Sequence, residues 1–597
     1  VTEHFERPIK GFTFLKRNVH KNIDQRGMTM KKWLSLSIVA ALVMTLVACS
    51  GGNNKPEASG SPSPSASQPS ASGSESPSAS AEQPAADEAG WKSDTSPITF
   101  DWYLNFAWFP NKWGVDPTSQ YITKKTGVSL NLIVPAGNEN EKLNAMIAAN
   151  QLPDFITLGW WEEGVKKMVE GGLVESLTDL ADQYDPYFFK VADGAKLSWY
   201  AQPDGKTYVY PNASSSPADF KNFGTQFTSN QTFVVRKDMY EAIGSPDMRT
   251  PEGFINALKL AKEKFPEVNG QPLIPIGFHE FGEDGNYSFF DVGQDSSYLS
   301  HFLALPREKE GKLYDRLTDP EFVRWLKTFR QANEEGLISK DVFVDKRAQM
   351  EEKIAQGRYF AMLYQRTDFA AQQNVLYAKD PNSVYIAVDG PANTNLDAPT
   401  LAGPAISGWT VTLISKNVKD KERAIKFLSY LISEEGQKDM YLGEKGVSYD
   451  TIDGKDQFKP EALNLMNTDR SAFDKQYGAS HTFWMLMDTN MQLQWQPPSV
   501  EPFKQLEDWT KGKTASYSQY DLINPPATSK EGINAKKIAN EWGKVLPKLL
   551  LAKSEADFDQ TFNDFIAKRD KTGFADLMAY RQTKYEENVK KLAEFLK

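Results

Sequence analysis

One cysteine stands in 597 residues, which excludes any disulfide within the chain. Histidine is nearly as scarce: five in all, and after Met28 only His279, His301 and His481. So scattered, they do not make a histidine-rich metal site. The segment "HEFGED" that opens at His279 lacks the second histidine of a zinc H-E-x-x-H motif. No G-x-x-x-x-G-K-S/T loop occurs, so nucleotide hydrolysis is not indicated. "GEDGN" (Gly282–Asn286) and "DPNS" read as turns. Neither completes a calcium loop, which alternates oxygen ligands and ends on a bidentate acid. Positive charge is also short. Against 78 Asp and Glu stand 68 Lys and Arg, a net charge of −10, whereas nucleic-acid binding needs a basic stripe. There is no repeat of roughly 20 to 50 residues. What the chain has in quantity is apolar and aromatic mass, 40% hydrophobic residues with 14 tryptophans. Its length suits several domains or one multi-lobed body.

The lone thiol, Cys49, ends a greasy run. From Met28 the chain reads "MTMKKWLSLSIVAALVMTLVAC": Lys31 and Lys32, an apolar stretch from Trp33 to Val47, small Ala48, then Cys49. That is the layout of a secretory signal, too short for a comfortable transmembrane span. Leu46-Val47-Ala48-Cys49 resembles the lipobox of bacterial lipoproteins residue by residue. The resemblance implies cleavage before Cys49 and a diacylglyceryl thioether on it. The plainer alternatives are an ordinary signal peptide or a core helix with an incidental cysteine. Residues 1–27 precede better starts at Met28 and Met30 and are expected to be a spurious extension. Residues 28–48 are then the signal peptide. Residues 49–90, rich in Ser, Pro, Ala and Gly, bury too little surface to order and read as a tether.

From Trp91 the composition turns globular. "ITFDWYL" alternates Ile98, Phe100, Trp102 and Leu104, and "VSLNLIVP" alternates Val128, Leu130, Leu132 and Val134, both strand signals. Between them "PTSQYITKKTG" predicts a helix closed by Gly127. A helix through Leu143, Met146 and Ile147 leads to a third strand, "DFITLGWW", and another short helix. Strand, helix, strand, helix, strand with short links predicts a βαβ layer. "PEGFINALKLAKEKFP" and "KERAIKFLSYLISEEG" are amphipathic helices.

Several segments, in order, resemble the extracellular solute-binding proteins of ABC importers, family 1, in their long Gram-positive lipoprotein branch. They are "QLPDFITL" (Gln151–Leu158), "DGKTYVYP" (Asp204–Pro211), "TFVVRKDMYEAIG" (Thr232–Gly244), "IAQGRYFAML" (Ile354–Leu363), "ISKNVKDKERAIKFLSYLISEEGQ" (Ile414–Gln437) and "EKGVSYDTIDGK" (Glu444–Lys455). The resemblance implies an α/β, two-lobed, periplasmic-binding-protein-like clamshell of type II with a helix-rich C-terminal part. Its solute-binding domain would span 91–597. Lobe one would take about 96–223 and 385–432, and lobe two about 224–384 and 433–597. It further implies no catalysis, hinge closure on a ligand between the lobes, and delivery to ABC permease subunits. The protein would be a lipid-anchored monomer on the outer face of the cell membrane. No cofactor is expected, although some sugar binders of this branch hold calcium. The C-terminal extension favours an oligosaccharide over a monosaccharide.

A sugar ring needs flat apolar plates for its C–H face and donors and acceptors for its hydroxyls. Loops at strand ends offer Trp102, Asn105, Trp108 and Phe109, then Trp160, Trp161 and Glu162. They also offer Asn230 and Gln231, Tyr364 with Gln365 and Arg366, and Trp409. Arg366 could pair with an acidic sugar or make a surface salt bridge. Any of these aromatics could instead pack in a core. A surface-anchored glycoside hydrolase, with Glu162 and Glu163 the first acids to test, and a binder of a non-sugar solute are the competing functions.

Overall fold

The computed structural model describes residues 88–596 apart from 110, 138 and 283–296. Cys49, the signal segment and the tether lie outside the described residues. Along the chain come β1 (Ile98–Leu104), β2 (Val128–Ile133), β3 (Phe155–Gly159) and β4 (Tyr210–Pro211). Then follow β5 (Gln231–Arg236), β6 (Ile274–Gly277), β7 (Tyr359–Gln365) and β8 (Tyr385–Ala387). The strands β9 (Leu401–Ala402), β10 (Thr410–Ile414) and β11 (Thr514–Ala515) complete the set that positions the site.

Two sheets organise two lobes. The first runs β2-β1-β3-β10-β4, with β1 parallel to β2 and β3, and β10 antiparallel to β3 and β4. Its alternation is two-faced. Phe100, Trp102, Leu104 and Phe155 enter one core, while Tyr103, Ile156, Leu158, Val411 and Leu413 enter another on the opposite face. Helices cover both faces, as a mostly parallel sheet requires. The expected helix after β1 is Pro117–Thr126, capped by Asp116 and ended by Gly127 at φ 73, a left-handed position that suits glycine. The second sheet runs β8-β5-β7-β6, with β7 antiparallel to β5 and parallel to β6. Its core takes in Phe254, Trp325 and Phe329 and also Trp542 and Phe565 of the C-terminal helices.

The sheets divide at other points than the sequence suggested. Strand β8 pairs with β5 of lobe two, so the chain returns to lobe one only near Trp409, not at residue 385. Lobe one likewise continues past residue 432. Tyr441, Tyr449, Phe458, Phe473, Phe483 and Trp495 all join the β1 core. The chain re-enters lobe two around Leu506. Amphipathic periodicity shows that a helix has a buried face but does not name the core that receives it.

Three crossovers therefore connect the lobes: after β4, before β10, and around residues 496–503. The first two lie against each other and against the segment after β11. Ser215 N–H donates to Ala405 O at 3.0 Å and Ile406 N–H to Ser518 Oγ at 3.0 Å. The last helix, Phe574–Glu594, packs Leu577 in lobe two, while Leu592 and Phe595 pack against the second core of lobe one.

Candidate functional site

The ends of β1 and β3, the start of β10 and the end of β4 share one edge of the first sheet, and two crossovers leave from it. In lobe two the start of β5 and the ends of β7 and β6 share the edge where the crossovers arrive. These two edges border the hinge side of each lobe, the side where open α/β sheets carry their ligand crevices.

The edge of lobe one carries an aromatic platform. Trp108 is 49% exposed and stacks on Trp409, with ring centroids 6.1 Å apart and planes at 14°. Trp484 fills the angle between them, 5.0 Å from Trp108 and 5.5 Å from Trp409. Phe106 and Phe109 are buried and support it from below, at 5.4 and 5.1 Å from Trp484. Such tilted and offset ring pairs add roughly 0.5–1.5 kcal/mol each beyond their buried area.

Asn212 bolts this platform together. Its carbonyl accepts from Trp409 N–H at 3.1 Å, its side-chain oxygen accepts from Thr410 N–H at 2.6 Å, and its side-chain amide donates to Trp484 O. Gly408, at φ 69, lets the chain pass, because a Cβ there would sit 2.0 Å from Asn212 O. Asn212 was not among the sequence candidates. Its one sequence signal is a polar residue directly after the strand-like "YVYP".

Beside the platform lies a polar relay. Tyr103 donates to Asn105 Oδ1 at 2.8 Å, Asn105 Nδ2 donates to Glu162 Oε2 at 2.5 Å, and Gly159 N–H donates to Glu162 Oε1 at 2.7 Å. Burial raises the Glu162 carboxyl above its ordinary range against those two hydrogen bonds. Glu139 accepts from Ala107 N–H at 2.7 Å. Trp160 and Trp161 meet edge to face at 5.8 Å, and Trp161 is 58% exposed. They sit in the turn after β3 rather than on the strand, so their divergence comes from turn geometry and not from strand alternation. Glu163 opens the next helix and pairs with Lys167 at 3.2 Å.

Other sequence candidates are placed differently. Trp102 is fully buried in β1, stacked on Phe155 at 4.7 Å with its indole N–H on Thr157. It faces the core because it occupies an inward register position of a central strand. Tyr364 is fully buried and stacks on His279 at 4.6 Å. Gln231 is buried, and its side-chain oxygen meets His301 Nδ1 at 2.8 Å and Ala402 N–H at 3.0 Å, clasping the second crossover. Arg366 pairs with Glu507 at 2.8 Å and donates to Ser229 O and Thr228 Oγ1, clasping the first crossover to the helix after the third. Asn230 is exposed, and its carbonyl accepts from Arg366 N–H. Among the described residues no group of three His, Cys, Asp or Glu is arranged to hold a metal, so no calcium step is derived.

The comparisons with known proteins agree with this architecture. Lipoprotein LipO of Bacillus subtilis (strain 168) is 25% identical over 359 residues, 57% of this chain and 65% of that protein. The match thus spans a little under two thirds of that relative. Among solved structures, the Streptococcus pneumoniae ABC-transporter substrate-binding protein FusA in complex with kestose superposes with a TM-score of 0.60. The identity is 16%, covering 82% of this chain and 99% of that one. The alginate-binding protein AlgQ2 superposes with a TM-score of 0.59 at 19% identity, covering 84% of this chain and all of that one. A family model described as bacterial extracellular solute-binding protein matches residues 119–448, more than half of the sequence. A two-lobed fold with its crossovers at one pair of sheet edges, and a family match across both sheets, place this chain in the bacterial extracellular solute-binding protein family.

Proposed function

We propose that this protein is the substrate-capturing subunit of a carbohydrate ABC importer, and that it holds an oligosaccharide against Trp108, Trp409 and Trp484 of lobe one. The observation that carries the reading is a large, half-exposed tryptophan plate on the hinge-side edge. Isolated apolar residues on a surface need no explanation, but a supported aromatic cluster at a cleft edge marks a binding site. A pyranose lays its C–H face on such a plate, while Glu162, Asn105 and the exposed Trp161 border it. Lobe two then closes by hinge motion. Sugar-binding solved neighbours point the same way, since FusA was seen with kestose.

Lipidation of Cys49 would keep the protein at the outer face of the membrane, with residues 49–90 as its tether, and the closed form would be what the permease meets. Two or three acyl chains hold such a protein stably, whereas one does not. Cys49→Ala is expected to release the protein from membranes with unchanged sugar affinity. Calorimetry of the full chain against a panel of oligosaccharides tests the capture reading. Saturable heat with at least one sugar is expected, and silence across the panel would overturn it. Bond cleavage by the purified protein would instead favour a hydrolase.

A further inference from the structure

The charge pattern of the two edges narrows the ligand further, and this step rests on the capture reading above. The structure assigns the cleft to an uncharged oligosaccharide and sets it against sugars that carry carboxylates.

A site for a uronic acid needs a cation or a cluster of N–H donors with nothing else to do. The basic side chains at these edges are already engaged. Arg366, the guanidinium nearest the ends of β5 and β7, holds Glu507 at 2.8 Å, Ser229 O at 2.9 Å and Thr228 Oγ1 at 3.0 Å. Arg347 pairs with Glu351 at 2.8 Å and lies 3.6 Å from Asp368. Lys142 donates to Val134 O at 3.1 Å. Lys112 is exposed on the loop that carries Trp108, and against it stand the carboxylates of Glu139 and Glu162.

The donors of the lobe-one relay also point the wrong way for an anion. Tyr103 gives its proton to Asn105, and Asn105 and Gly159 give theirs to Glu162. The chain of donation therefore ends on a carboxylate, which can only accept. Sugar hydroxyls donate, so they satisfy it. A uronate would bring a like charge to the same place in a partly desolvated setting, which is unfavourable. Likeness in fold to an alginate-binding protein is thus separate from likeness in ligand.

Matched pairs of equal length test this: mannotriose against trimannuronate, galactotriose against trigalacturonate, by calorimetry on the full chain. At least one neutral member is expected to bind about 30-fold or more tighter than its acid partner. Two variants sharpen it. Glu507→Gln releases the Arg366 guanidinium, and Glu162→Gln removes the terminal carboxylate. Each is expected to shrink the discrimination to about 10-fold or less, and one reports if the other does not fold. Equal or tighter binding of a uronate by the wild type overturns the assignment while leaving sugar capture intact. Silence with all four sugars and the wider neutral panel overturns both readings. Discrimination unmoved in both folded variants would contradict the role given to these two acids.

Discussion

Lobe one and lobe two meet the hinge with edges of the same kind, strand ends joined by crossovers, and use them differently. The edge of lobe one leaves aromatic surface open: Trp108 and Trp161 are among the most exposed large apolar side chains, and Trp409 and Trp484 are only half-buried. The edge of lobe two ties its polar groups down. Gln231 clasps the second crossover and Arg366 the first. The division assigns ligand contact mainly to one lobe and hinge integrity to the other. A clamshell needs both, because a closing lobe must swing on crossovers that keep their packing.

The largest expected effect tests the open side. Trp108→Ala should weaken sugar binding by about 30- to 100-fold, the range of an interface anchor. The fold should lose less than about 1 kcal/mol, since half of the ring is already in solvent. Chemical denaturation and calorimetry on one preparation read both.

Next comes the tied side. Arg366→Ala leaves Glu507 half-buried without its partner and should cost about 2–3 kcal/mol of stability, with sugar affinity changed by less than about threefold. If affinity collapsed while the denaturation midpoint held, Arg366 would belong to the ligand site and the contrast between the lobes would fail.

Asn212→Ala sits between the two cases. It unfastens Trp409 from Trp484 and exposes their backbone groups to a buried, unsatisfied state. About 1–3 kcal/mol of stability and about 10-fold in affinity should be lost together. Loss of stability alone would show that the platform keeps its shape without the bolt.

A pH titration of stability gives a smaller effect. Asp488 is buried, which alone would raise its pKa. The Lys196 ammonium at 2.9 Å and the N–H groups of Met491 and Asn490 hold it below the ordinary carboxylate range. A depressed carboxyl contributes stability above its unfolded pKa, so that contribution should fade as pH drops below about 4. Lys196→Met should flatten this part of the acid limb. Smallest of all is Trp102→Phe: about 1 kcal/mol from the lost bond to Thr157 and no change in sugar affinity. Trp102 and Trp108 are six positions apart, and only their placement on strand or loop separates their expected roles.

The local pattern reveals much of this molecule. Alternation in "ITFDWYL" and "DFITLGWW" marks β1 and β3, and Gly127 ends its helix as expected. The aromatic pairs after those strands lie at the strand ends, as read. What the pattern hides is everything that depends on distant partners. Trp484 joins Trp108 across more than 370 positions of chain, so no spacing rule links them. Gln231 and Arg366 read as ligand groups because they sit at strand ends. Only the crossovers, which arrive from elsewhere in the sequence, give them other work. The helices after residue 432 show a buried face without saying which lobe receives it.

The central claim is that a sugar is held on the tryptophan plate of lobe one. The most direct measurement is calorimetric affinity for one neutral oligosaccharide in three forms of the full chain: wild type, Trp108→Ala and Trp102→Phe. The account predicts saturable binding by the wild type, the same affinity in Trp102→Phe, and a loss of about 30-fold or more in Trp108→Ala. Equal affinity in Trp108→Ala and wild type would contradict it.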